Sequence, residues 1–401
     1  MVLCKRLGRV WRVLGGNFFA RTIGANEAPA AFGEQVVTTR REFLKRTAAT
    51  GIAAALSRSA DGGPEESPLH GPSNGVGTAQ TVLGAIDPSE LGFTLAHEHI
   101  DDAPEVLERW PKALGGKAGL IAKAVDRLKA IKAAGISTVV DLTTYDVGRD
   151  IRFLEEVSRK SGMNMIASTG QRFFPPQSRH VSMPARTVDG LAKYFVKEID
   201  RGIDGTGIKA GVIKIGIIGA RPTTLEEVGL RAAARASKAT GVPIRIHSDA
   251  AHRAGESDAV ILEDEGVNPA RVSFDHSDDS GDMDYFLGLA RRGYSLGMDH
   301  VHRGLMADVK PSFERRAECI KMIVDADFAD KVFLSSDSEF GGSLLPEETR
   351  DWRENIDPPE GMLFSARRLL PRLSELGVSS KQIHVITVEN PKAFFRRSAA
   401  A

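Results

Sequence analysis

From about Gly77 onward, short runs rich in branched and aromatic residues alternate with longer stretches that repeat apolar positions every three or four residues, and they do so eight times. The short runs predict strands at Phe93–His97, Thr138–Leu142, Met165–Thr169, Gly211–Ile215, Pro243–His247, Val272–His276, Tyr294–Met298 and Val332–Ser336. Between them GLIAKAVDRLKAIKAAG, LEEVGLRAAARASKATG and FERRAECIKMIVDA carry helical spacing, and the first two close on the glycine that a helix stop favours. Eight successive βα units predict an α/β fold of the (β/α)8 TIM-barrel type, with its site at the carboxyl ends of the strands. An open doubly wound sheet would show the same alternation, but would not so readily converge the ends of strands one, four, five, six and eight.

Those five strands carry the residues that bind metals. FTLAHEH supplies His97 and His99, GVIKIGI Lys214, PIRIHSD His247, VSFDHSD His276 and VFLSSDS Asp337. His97 and His99 are two apart on a strand, so both imidazoles face one side while Glu98 faces the other. Lys214 sits in the apolar run Val212–Ile218, where a cation is costly to bury. Two readings stand for it: an ammonium that reaches the barrel mouth and pairs with a carboxylate, or a desolvated amine that captures carbon dioxide and bridges two metals as a carbamate. A lone histidine ending a strand is ordinarily a hydrogen-bonded core residue. Two of them, His247 and His276, in register with the HxH pair and followed by Asp337, make a binuclear centre the better reading. Imidazole and carboxylate suit zinc, cobalt, manganese or iron, with zinc the expected ion, and a pair of divalent cations makes a hydroxide nucleophile available near neutral pH. His300, at the seventh strand end, is placed to relay a proton from Asp337, and Asp279 to orient it. His70, His180, His252, His302 and His384 read as loop or surface residues.

Composition narrows the classes. The chain has 401 residues with 53 basic and 53 acidic side chains, so no charge excess points to nucleic acid. Its 6% aromatic content is scattered, and the balance suits a small-molecule substrate. Cys4 and Cys319 are the only cysteines, which leaves neither a disulfide framework nor a thiolate site. There is no phosphate-binding P-loop, dinucleotide fingerprint or GxSxG elbow.

The first 60 residues have a separate character. Thr39-Arg40-Arg41-Glu42-Phe43-Leu44-Lys45 precedes the small, apolar run Thr47 to Leu56, with a tolerable cleavage site at Ala55 to Ser57. This order resembles a twin-arginine export signal, so residues 1–60 are expected to be a leader read by the Tat machinery and 61–77 a flexible linker. The apolar run falls short of the about 20 residues that span a bilayer. The expected location is periplasmic or secreted, and the barrel domain is expected at 78–396.

The motifs GFTLAHEHI, VVDLTTYDVGRDI, AGVIKIGI, TGVPIRIHSDA, DHSDDSGDMDYFLGLARRGYSLGMDH, VFLSSDS and ITVENP occur in order from about Gly77 to Phe395. In these the chain resembles the phosphotriesterase family of the amidohydrolase superfamily. The resemblance implies two divalent ions. His97, His99 and Asp337 would hold the more buried one and His247 and His276 the more exposed one, bridged by N6-carboxylated Lys214 and hydroxide. It further implies that the exposed ion polarises a phosphoryl or carbonyl oxygen, that hydroxide attacks, and that Asp337, His300 and Asp279 carry the proton away. A homodimer is the expected assembly.

The pocket departs from the organophosphate-degrading members. Thr169-Gly170-Gln171-Arg172-Phe173-Phe174 puts Arg172 where they carry a tryptophan wall, and Ser338-Glu339-Phe340-Gly341-Gly342 lacks a second aromatic wall residue. Arg303-Gly304 is similar to the lactonase-like branch. Arg172, Phe173, Arg303 and Phe340 are therefore the expected pocket residues. The expected reaction is hydrolysis of a lactone, carboxylic ester or phosphotriester. Amide hydrolysis or deamination is the alternative within enzymes, and a metal-dependent binding protein the alternative outside them.

Overall fold

Apolar alternation sorts neighbouring strand residues into two separate cores in the computed structural model, which describes residues 75–100, 115–172, 183–338 and 360–400. Leu95, Val139, Met165 and Ile213 pack outward against helices, while their neighbours Ala96, Val140, Ile166 and Val212 pack inward around Phe333. A strand buried on both faces reads as a continuous apolar run, which is why the eight segments stand out in the sequence.

A short antiparallel hairpin, β1 (Ala79–Thr81) and β2 (Gly84–Ile86), precedes the main sheet. The sheet then runs β3 (Thr94–Glu98), β4 (Thr138–Asp141), β5 (Asn164–Gln171), β6 (Val212–Gly216), β7 (Ile244–His247), β8 (Val272–Asp275), β9 (Ser295–Met298) and β10 (Val332–Leu334), each parallel to the next. Helices Gly116–Ala133, Ile151–Ser161, Val188–Asp200, Thr224–Thr240, Ala254–Asp264, Met283–Arg291 and Phe313–Asp325 return the chain between them. Local chemistry sets their ends. Thr223 and Glu226 form a reciprocal capping box at the start of Thr224–Thr240, and Gly241 ends it at φ 74°. Outward side chains such as Phe195, Leu230 and Phe286 are fully buried, each contributing roughly 1.5–3 kcal/mol. The fold is thus the expected (β/α)8 barrel.

The seam between β10 and β3 nearly closes the barrel by contacts just past the strands. Asp337 N donates to His97 O at 3.1 Å and His99 N to Ser338 O at 3.0 Å. Glu98, fully buried, adds a second clasp. It accepts from Ser335 Oγ (2.7 Å), Ser336 N (2.8 Å), Ser336 Oγ (2.8 Å) and Ser338 N (2.8 Å). Phe394 and Phe395 pack with Phe333, Ala79 and Leu91 in the inner core, beside the bridge between Ala79 and Arg396.

Strand ends differ from the sequence expectation where the backbone turns. β8 stops at Asp275, because His276 (φ 58°) takes the left-handed conformation, which ends an extended run; β10 stops at Leu334, three residues before the left-handed Asp337 (φ 42°). Lys214 lies two residues inside the end of β6 rather than one. The leader, the linker up to residue 74, Phe173 and Phe340 lie outside the described residues. No described helix is long and apolar enough to cross a membrane.

If Glu98 carries the seam, Glu98→Ala leaves the amides of Ser336 and Ser338 without their acceptor and should cost about 3 kcal/mol or more. Urea unfolding of the metal-free protein measures this. A midpoint equal to wild type would show that closure does not depend on Glu98.

Candidate metal centre

One carboxylate gathers the two ends of the barrel sequence. The left-handed turn at residue 337 aims Asp337 across the seam, where its Oδ1 lies 3.2 Å from His97 Nε2 and 3.2 Å from His99 Nε2. Its Oδ2 lies 2.8 Å from His300 Nε2 and 3.5 Å from Arg303 Nη2. Burial alone would raise this carboxyl, but hydrogen bonds from His300 and His99 help to hold it well below the usual range. It is therefore an anion ready for a cation.

A buried acid with no signal of its own in the sequence orients two imidazoles from behind. Asp299, at the end of β9, meets His97 Nδ1 at 2.8 Å and His276 Nδ1 at 2.9 Å, and accepts the His276 amide at 2.9 Å. With Nδ1 engaged on each ring, Nε2 is left for the centre. His276 Nε2 is buried and has no hydrogen-bond partner, an orphan that a metal ion would satisfy. His247 lies beside it, ring centroids 4.2 Å apart, and His99 Nδ1 is held by Thr143 Oγ1 at 2.9 Å. His97, His99 and Asp337 form one compact metal-competent group, and His276, His300 and Asp337 another.

Lys214 lies below this layer. Its Nζ is 2.6 Å from Asp275 Oδ2 and 3.3 Å from His97 Nε2, so in this state the lysine is paired with a carboxylate, though a buried one and not one at the mouth. Burial lowers its pKa although Asp275 opposes the shift. Asp275 Oδ1 also lies 2.6 Å from Arg245, a fully buried guanidinium on β7 that sits over the Phe333 ring. Neither Arg245 nor Asp275 attracts notice in the sequence, where IRIHSD and FDHSD are read for their histidines. The close approach of β5 to β6 here requires glycine: a Cβ on Gly170 would stand 1.8 Å from Lys214 O.

His300 joins the centre to a chain of charges. Its Nδ1 lies 2.7 Å from Asp279 Oδ2 and its ring stacks on His276 at 3.9 Å. Arg316, buried, binds Asp278 and Asp279 at 2.8 Å each, and Asp278 accepts the amides of Asp299 and His300. Burial opposes the charge on His300, but Asp279 and Asp337 hold it up at about 9. Of the remaining histidines, His252 and His384 are exposed as expected. His302 is not: it is buried against Phe364, because Val301–Leu305 folds inward as a 3-10 turn. His70 and His180 lie outside the described residues.

Two arginines stand on the walls. Arg172, whose amide is held by Asp146 at 3.1 Å and 3.2 Å, places Nη2 3.3 Å from His247 Nε2. Arg303 places Nη2 beside Asp337 from the far side. The structure thus assembles all six expected ligand positions, the relay pair and both described pocket residues at one end of the barrel. Burial lowers His97, His247 and His276, so their rings stay neutral with lone pairs available. Burial and the neighbouring Asp275 raise Asp299. Neutral imidazoles, an ionised carboxylate and an orphaned buried nitrogen fit a divalent cation, which would reverse these desolvation penalties.

The ion pair of His300 with Asp279 has a testable sign. A histidine raised from 6.5 to about 9 contributes stability that is complete below pH 6.5 and is lost as pH rises through 9. In the metal-free protein, Asp279→Asn should therefore cost about 3 kcal/mol near pH 6, and the deficit should shrink above pH 9. Chemical denaturation at several pH values measures it; a deficit that does not change with pH would refute the pairing.

This arrangement can be set beside known proteins. The profile of the Phosphotriesterase family matches residues 77–395. The chain is 34% identical over 323 residues to a phosphotriesterase homology protein of Mycobacterium tuberculosis, covering 79% of this chain and 97% of the relative. It is 32% identical over 319 residues to an aryldialkylphosphatase of Saccharolobus solfataricus, covering 78% and 97%. An N-acetyltaurine hydrolase of Xenopus tropicalis is 27% identical over 352 residues, covering 79% and 97%. With a barrel of this topology, a cluster of metal-competent side chains at its carboxyl end and a family match over most of its length, the chain belongs to the phosphotriesterase family.

Proposed function

We propose that this protein is a binuclear metal-dependent hydrolase acting on a lactone, carboxylic ester or phosphotriester. The observation that carries the reading is the convergence of His97, His99 and Asp337 with His276, whose Nε2 is buried and unpartnered. Two divalent ions, zinc the expected one, would be held by His97, His99 and Asp337 and by His247 and His276, with carboxylated Lys214 between them, and would supply Lewis acidity and an activated water. Asp337 is placed to accept the proton released on attack. His300, 2.8 Å away, would receive it at Nε2 after giving its Nδ1 proton to Asp279 at 2.7 Å, beyond which Arg316 holds the acid in place. Arg172, always charged and planar, favours a substrate oxygen that it can hydrogen-bond over an aryl group. Amide hydrolysis is the second reading, supported by relatives named N-acetyltaurine hydrolase. Attack on an amide carbonyl needs the same centre and differs in the leaving group.

The protein should bind about two divalent ions per chain by elemental analysis. Lys214→Ala should lose most activity and much of that metal, with partial rescue by a short carboxylic acid. Full metal content and full turnover in that variant would sink the bridging role. Lactone or ester kcat/KM should exceed that for paraoxon. Arg172→Trp should narrow or invert the ratio by about tenfold, which is roughly 1.4 kcal/mol of transition-state binding. A wild type that prefers paraoxon, or a ratio indifferent to the substitution, would remove Arg172 from the specificity argument.

A further inference from the structure

Asp258, in the second turn of the helix Ala254–Asp264, is fully buried, and no described cation pairs with it. Its Oδ2 accepts the Ser248 hydroxyl at 3.0 Å, and its Oδ1 is buried with no hydrogen-bond partner. Ser257 beside it gives its hydroxyl to Ala254 O instead, at 2.9 Å. Tyr285, also fully buried, brings its hydroxyl against the same helix where residue 255 is glycine, since a Cβ there would stand 2.5 Å from that oxygen. These groups form a polar cluster behind the turn that carries His247.

Ser248 follows His247 directly, and between them the chain leaves β7 for the helix. On the strand side His247 O accepts Ile217 N at 2.8 Å. Beyond Ser248 the turn is tight: Asp249 O accepts Ala254 N at 3.0 Å, and Arg253 takes φ 59°. The Ser248 hydroxyl is the side-chain link from this turn to the body of the helix, and Asp258 is what it binds.

An unpaired carboxylate is costly in such a place. Burial raises Asp258 to about 7 against the Ser248 hydrogen bond, and Glu226 adds to the rise. The surroundings offer no counter-charge. Glu226 acts on it from the helix Thr224–Thr240, and Tyr285 lies beside it on Met283–Arg291. Arg253 is committed to Glu256 and Asp282, His252 to Asp249, and Arg231 to Glu227, Asp264 and Glu265. A carboxyl raised from 3.8 to about 7 costs the fold nothing below pH 3.8; the penalty grows as pH rises through that window and is complete above 7.

We propose that Asp258 is a positioning residue: through the Ser248 hydroxyl it holds the turn after β7 against the helix Ala254–Asp264, and so sets where His247 enters the centre. It touches no substrate, and it acts as a neutral acid. Its consequence for metal binding rests on the hydrolase reading, whereas the link itself does not.

The test uses the full chain with Asp258→Asn, Asp258→Ala and Ser248→Ala, and with Leu262→Ala on the same helix as a control for mere loss of packing. In the metal-free protein, the urea midpoint of Asp258→Asn should exceed that of wild type by a clearly larger margin at pH 8 than at pH 5; a margin that stays constant would overturn the neutral acid. In calorimetric titration with zinc at pH 7, Asp258→Ala and Ser248→Ala should weaken the more weakly held ion at least tenfold and the tighter one less than threefold. Asp258→Asn should stay within threefold of wild type for both, and Leu262→Ala should lose stability without that selective weakening. Wild-type affinity in both Ala variants, or the same selective loss in Leu262→Ala, would overturn the positioning role. The ring-proton NMR signals of His247 in the metal-free protein should shift in Asp258→Ala and return in Asp258→Asn. That readout needs no metal, so a chain that binds no zinc would sink the hydrolase reading, whereas unshifted His247 signals would sink the proposal.

Discussion

The placement of the half-buried Asp337 carboxylate at the β10–β3 seam is the constraint on which the rest of the structure depends. An unpartnered carboxylate there would be costly, and the cost is offset because His97, His99, His300 and Arg303 all approach its two oxygens. The same requirement shapes the backbone. Asp337 takes a left-handed conformation that an ordinary residue resists, and Glu98 pins the segment Ser335–Ser338 on both sides of it. Burial pushes Glu98 up to about 7 despite four hydrogen bonds, so the clasp is itself held at some energetic cost. Barrel closure and site assembly are therefore one event, since the contacts that join the first strand to the last also bring the HxH pair to Asp337.

Below the centre, polarity changes in layers along the barrel. Phe394, Phe395 and Phe333 form an apolar base, Arg245 lies over the Phe333 ring, and Asp275 joins Arg245 to Lys214. Buried ion pairs seldom add much stability over apolar packing of the same volume, because desolvation offsets the attraction. Their place beneath His97 gives them another consequence: they set the potential in which a cation at the centre would be held. Lys214 is paired with Asp275, so taking part in a metal centre would require it to leave a carboxylate as well as to lose a proton.

Relatives of this chain carry names as different as aryldialkylphosphatase and N-acetyltaurine hydrolase. A two-metal centre stabilises developing charge on either a phosphoryl or a carbonyl group, so discrimination falls to the walls. Here the described walls are cationic, with Arg172 fixed by Asp146 and Gly216 and Arg303 by its inward turn. That is a different surface from the aromatic wall that a neutral aryl phosphate would contact.

The sequence by itself determined the barrel, because strands covered on both faces leave apolar runs and the helices between them carry 3.6-residue periodicity. It also exposed His97, His99, His247, His276, Lys214 and Asp337, since polar groups ending one apolar strand after another would be costly to bury unless they converged on a common ligand. The end of β8 before His276 and the turn at Asp337 were less legible, because a left-handed turn at a non-glycine residue has no local signature and is imposed by the surrounding contacts. Asp299, Asp275, Arg245 and Glu98 were invisible as site residues for a related reason. Each acts through partners 23 to 240 positions away or on a neighbouring strand, and only the closed barrel decides which buried acid meets which imidazole. His302 departs from its surface reading on the same account: a histidine in a loop is exposed by default, and the inward fold of Val301–Leu305 against Phe364 is a tertiary fact. Periodicity records which face of an element is buried, whereas the pairing of charges inside that buried space is set by three-dimensional closure.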